Sequence, residues 1–136
     1  MDAARALADL TEISSQIGAA VLVEASGEIV ATTLREEERS RRIASGAQDL
    51  LKAAEELRSG ADRLAQIQAA TPEGGVFVVR DEERMIVAIT GPEPTIGLVF
   101  YDLKSCLRNV AAARAGAVET KPRRGARAGE AKDGTP

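Results

Sequence analysis

At 136 residues and a net charge of −3, the chain has room for one domain core and no surplus of Lys and Arg for general phosphate contacts. It contains no histidine and a single cysteine, which removes the commonest general base, the usual zinc ligand sets and any Ser/His/Asp or Cys/His triad. Only 2% of residues are aromatic, so the core is aliphatic.

In chain order, Leu7, Leu10, Ile13 and Ile17 recur at helical spacing and predict a first helix ending at Gly18. Val21–Val23 and Ile29–Thr33 then read as two strands joined by a turn at Ser26-Gly27. Glu24 and Glu28 beside that turn are expected to be solvated, without a basic or metal-binding partner. A long helix is predicted from Glu37 to Arg58, stopped by Ser59-Gly60. Its acidic start, Glu36-Glu37-Glu38, suits the positive end of the helix dipole. The stripe Ile43, Ala47, Leu50, Leu51, Ala54 and Leu57 is its apolar face, with Glu38–Arg42 and Lys52–Glu56 pairs expected outside.

Three strands follow at Leu64–Thr71, Val76–Arg80 and Met85–Thr90, with links short enough to require antiparallel pairing. Thr95 is the expected N-cap of a last helix carrying Ile96, Val99, Phe100, Leu103, Leu107 and Val110. Cys106 falls on that apolar face and reads as a small buried hydrophobe. From residue 115 the chain turns to Gly, Ala, Pro and charge, so we expect a domain over 1–114 and a disordered charged tail over 115–136. In the tail five basic residues face three acids, leaving the body near −5.

No phosphate-loop motif is present, and Gly74-Gly75 precedes a strand instead of a helix. No catalytic, metal or cofactor residues are assigned, and an enzyme is the minority reading. The start MDAARALADL lacks the pattern of a signal peptide and no apolar run is long enough to span a membrane, so a cytoplasmic location is expected.

The order α-β-β-α-β-β-β-α, with "GAAVLVEASGEIVA", "IASGAQDLLKAAEEL", "DRLAQIQAATPEGGVFVVRDEERMIVAIT" and "TIGLVFYDLKSCLRNV" in sequence, resembles the Roadblock (dynein light chain) family in its small prokaryotic form. The resemblance covers roughly residues 5–113. It implies an α/β profilin-like sandwich: a five-stranded antiparallel sheet, one central helix on one face and the two terminal helices on the other. It also implies a homodimer through the third strand and central helix, and service as a platform or regulator for small Ras-like GTPases. Carried onto this chain, the expected dimer residues are Leu64, Ala65, Gln66, Ile67, Gln68 and Ala69 on the strand. On the helix they are Gly46, Ala47, Ala53 and Ala54. Arg39, Arg41 and Arg42 are the candidate partner contacts. A small-molecule sensor is the alternative, disfavoured by the scarcity of aromatic groups.

Overall fold

The computed structural model describes residues 2–57 and 65–120, with side chains as far as residue 112 in the last helix. Its elements are α1 (Ala3–Ile13), β1 (Ile17–Glu24), β2 (Ile29–Thr32), α2 (Glu37–Glu56), β3 (Gln66–Thr71), β4 (Gly74–Arg80), β5 (Arg84–Thr90) and α3 (Ile96–Thr120). The expected stop at Ser59-Gly60, the residue Leu64 and the segment 121–136 lie outside the described residues. The helical backbone of α3 overlaps the first part of the expected tail, through Thr120.

Asp2 caps α1 by accepting the Arg5 amide at 2.8 Å. The helix stops at Ile13, where Ser14 turns extended, and Ile17 is the first residue of β1 instead of a helical position. A four-residue spacing fits a helix turn and also the two sides of a break, and two serines favour the break. The consequence is opposite fates: Ile17 is buried and Ile13 is exposed. Gly18 is not a helix stop. It sits where the β1–β5 register slips between Ile17 and Ala19, a common place for glycine in a strand.

The strands form one sheet in the order β2-β1-β5-β4-β3, every pair antiparallel. Alternation along the three inner strands splits the core in two. Ala20, Leu22, Phe77, Val79, Ile86 and Ala88 meet Leu7 and Leu10 of α1 and Val99, Leu103 and Leu107 of α3. Val21, Val23, Val78, Met85 and Val87 meet Ala44, Ala47 and Leu51 of α2. Both faces being covered, the inner strands are apolar nearly throughout. Phe77 and Phe100 meet edge to face at 5.1 Å between ring centres, fixing α3 on β4.

Two glycines are required by geometry. Gly27 turns the β1–β2 hairpin at φ 99°, a conformation side chains disfavour. At Gly74 a Cβ would lie 2.0 Å from the Thr90 carbonyl oxygen, so β4 approaches the end of β5 only with no side chain there.

Candidate interaction surface

The sheet has two free edges, and the chain treats them differently. β2 has four residues and carries a bulge: Leu22 faces Ala31 and Val23 faces Ile29, so Val30 has no partner on β1. β3 has six residues in unbroken register with β4, from Gln66 opposite Val79 to Thr71 opposite Gly74. No Lys, Pro or bulge interrupts it, the devices that usually guard an edge.

The direction of the unused groups on β3 follows from one bond. The Arg80 amide donates to the Ala65 carbonyl at 2.8 Å, and Ala65 stands opposite Arg80 in the register. Alternation then turns the amides and carbonyls of Ile67 and Ala69 toward β4, and those of Gln66, Gln68 and Ala70 outward.

α2 crosses its face of the sheet diagonally. Near its start, the Ser40 and Thr32 hydroxyls are 2.8 Å apart, placing it over β2. Near its end, Glu55 pairs with Arg80 of β4. One flank leans on the hairpin turns, with the Gln48 amide against Gly27. At 100° per residue the opposite flank carries Ile43, Leu50 and Ala54, all half-buried. Ile67, Ala69, Val76 and Ile89 on the same sheet face are also half-buried, a strip of apolar surface beside the β3 edge.

Of the residues expected at a dimer seam, Ala65 and Gln66 are exposed, and Ile67, Gln68 and Ala69 are half-buried. Gly46 is exposed with open space around its Cα, Ala53 is exposed and Ala54 is half-buried. Ala47 is different: it is buried against β1, β4 and β5, so it supports α2 from beneath and offers a partner nothing. The stripe that covers the sheet is Ser40, Ala44, Ala47 and Leu51, while Leu57 is exposed. Small side chains under the helix let it lie close to the sheet, and the larger ones fall to its flank.

Arg39, Arg41 and Arg42 are exposed at the β2 end of α2, away from β3. The pairs expected as Glu38–Arg42 and Lys52–Glu56 do not form. Among the described residues the ion pair along α2 is Arg41–Glu37 at 3.3 Å.

A second correction concerns the first hairpin. Glu24, expected to be solvated and alone, places its carboxylate 3.4 Å from Nε of Arg84, which is buried. The β1–β5 register sets Glu24 directly opposite Arg84, a cross-strand pair that supplies the buried cation with its counter-charge. Arg84 also approaches Glu83 at 3.8 Å. Arg84 lines a cavity of about 180 Å³ between α2 and the β4–β5 turn, with Lys52, Glu55 and Arg80. Its charged groups largely answer one another, which suits a structural junction more than an apolar ligand.

Cys106 is buried, and its thiol donates toward the Ala6 carbonyl at 3.6 Å. Burial first, and the nearby Asp9 carboxylate second, push its pKa up to about 11. The reactive thiolate is therefore scarce at neutral pH, in keeping with a packing role. No helix among the described residues is long and apolar enough to cross a membrane.

No family model matches the sequence, and no curated protein does. Solved structures do match the fold. A Roadblock/LC7 domain from Streptomyces avermitilis superposes with a TM-score of 0.75 at 15% identity, covering 85% of this chain and 99% of that one. The gliding protein MglB from Thermus thermophilus gives 0.64 at 20% identity over 79% of this chain and 87% of its own. Profilin IB of Acanthamoeba castellanii gives 0.51 at 12% identity over 73% and 89%. The layering is thus profilin-like. Within that class, the chain has the Roadblock fold.

Proposed function

We propose that this chain is a non-enzymatic, homodimeric interaction module that pairs through β3 and docks on or regulates a small Ras-like GTPase in the cytoplasm. The observation that carries the dimer is the unguarded β3 edge, beside half-buried Ile67, Ala69, Val76 and Ile89. A second copy laid antiparallel on β3 satisfies the outward groups of Gln66, Gln68 and Ala70 and covers the apolar strip. Gly46, Ala53 and Ala54 of α2 then line the seam or its margin. Ala47 takes no part. The seam leaves Arg39, Arg41 and Arg42 uncovered at the other end of α2, where they are the candidate contacts to an acidic partner surface.

The GTPase reading rests on the family resemblance, supported by the likeness of fold to MglB. In this reading the partner supplies the nucleotide site and this chain positions it. We further propose that the domain is followed by a charged tail, with its basic excess available to an acidic surface.

Two measurements test the proposal. Light scattering should give twice the chain mass at micromolar concentration, and a monomer at every concentration would overturn the seam. Affinity capture from lysate of the source cells, with a GTP analogue and with GDP, should retain a small GTPase in one nucleotide state. Capture of none in either state would remove that part while leaving the dimer standing.

A further inference from the structure

β3 offers a second copy its outward positions Gln66, Gln68 and Ala70, each with both amide and carbonyl pointing off the sheet. The next position of that parity, Pro72, has no amide, so the usable row stops at Ala70. At its other end β3 begins at Gln66. Two copies related by a two-fold axis can centre on any residue of the strand, and the centre decides which groups are met. Centred on Gln68, each Gln68 faces its copy and each Gln66 faces Ala70 of the second copy, so every outward group of the row finds a partner. Centred on Ile67, Ala70 passes beyond the start of the second strand. Centred on Ala69, Gln66 faces Pro72, which has no amide to give.

The side chains agree with the Gln68 centre. Gln66 and Gln68 lie on the α1/α3 face of the sheet, opposite Val79 and Phe77. Ile67 and Ala69 lie on the α2 face, opposite Val78 and Val76. With Gln68 at the axis, Ile67 meets Ala69 of the second copy and Ala69 meets its Ile67, a large side chain against a small one at both places. The other two centres pair like with like at the axis, two isoleucines or two alanines. At the axis itself two half-buried primary amides meet, each with donors and an acceptor for the other.

We infer that this chain recognises its own copy through a ladder centred on Gln68, with Gln68 at the two-fold axis and Ile67 against Ala69 on either side. This register rests on the pairing through β3 proposed above, and it assigns the choice of partner to particular residues. A strand with a large side chain where Ala69 stands, or no amide where Gln68 stands, fits the edge less well than a second copy does.

Cysteine cross-linking reads the register directly. Facing residues of a hydrogen-bonded pair have Cα atoms about 5.5 Å apart, within reach of a disulfide, whereas a displacement of two residues along the strand gives about 8 Å, out of reach. With copper phenanthroline as oxidant, Gln68→Cys should link into a covalent dimer at least about tenfold faster than Ile67→Cys or Ala69→Cys alone. An equimolar mixture of those two variants should link where neither does by itself, because each faces the other across the seam. The wild-type chain, whose one thiol, Cys106, is buried, serves as the blank. A second reading comes from charge at the axis. Gln68→Glu and Gln68→Lys should each raise the dissociation constant about tenfold or more, and mixing the two should restore pairing. Fast linking of Ile67→Cys or Ala69→Cys alone would overturn the register by moving the axis to that residue. Equal masses for the two charge variants and their mixture would overturn it as well. Light scattering of the wild-type chain keeps the two proposals apart: a monomer at every concentration removes the pairing itself, whereas a dimer with another linking pattern removes only the register.

Discussion

β2 and β3 are both edge strands, yet β2 is short and bulged while β3 is longer, regular and uncharged over Gln66–Thr71. The difference teaches where the chain tolerates an open ladder. A bulge twists backbone groups out of register and discourages a further strand, whereas a regular row of outward amides and carbonyls invites one. On β3 that row is accompanied by half-buried aliphatic groups on the α2 face. On β2 the start of α2 sits close by, held through Ser40 and Thr32.

The sharpest way to break the contrast is to separate the two sides of β3. Ile67→Pro removes an amide that faces β4 and a half-buried side chain, leaving the Val78 carbonyl without its donor. Chemical denaturation should show a loss of about 2–4 kcal/mol in protomer stability. Gln68→Pro removes an outward amide instead, so the protomer should keep its stability to within about 1 kcal/mol. Its effect should appear between copies. Two hydrogen bonds are lost by symmetry, at about 0.5–1.5 kcal/mol each, and the dimer dissociation constant should rise roughly tenfold or more. Sedimentation velocity across a dilution series reads that change. A Gln68→Pro chain that dimerises like the wild type would place the seam elsewhere.

Ala69→Lys probes the apolar side of the same edge. Ala69 is half-buried, and a lysine there is the device by which edge strands commonly refuse partners. Each protomer must then bring an ammonium group toward the seam. Dissociation should increase several-fold at low salt, with partial recovery as salt screens the charges over about 10 Å at 0.1 M. Insensitivity of the mass to this substitution would show that the apolar strip stays open in the oligomer.

The strands and their succession along the chain were legible because runs of branched apolar residues are bounded by tight turns, which require antiparallel pairing. The α2 face was not. Ala47 and Ala53 look alike in sequence, and only the diagonal path of the helix decides that one is buried and the other exposed. Size alone favours Ile43, Leu50 and Leu57 as the covering stripe, but close approach to a sheet selects small residues such as Ala44 and Ala47. The Glu24–Arg84 pair was also hidden, since it depends on the β1–β5 register between residues distant in the chain. The same is true of the β3 edge. An uncharged strand is visible in the sequence, but its position at the end of the sheet becomes clear only from the order β2-β1-β5-β4-β3.

The smallest expected effect completes the contrast, because it is a null on the other edge. Val30 is the bulge residue of β2, with no partner on β1, and it is partly exposed. Proline is tolerated at bulges and on edge strands, where its missing amide takes nothing from the ladder. Val30→Pro should therefore change protomer stability by no more than about 1 kcal/mol and leave the sedimenting mass unchanged. The result matters beside Gln68→Pro, since both place a proline on a free edge and differ only in which edge it is. If Val30→Pro splits the dimer and Gln68→Pro does not, the bulge guards nothing and copies meet through β2. If both split it, neither edge is specific, and the effect belongs to the backbone of the sheet as a whole.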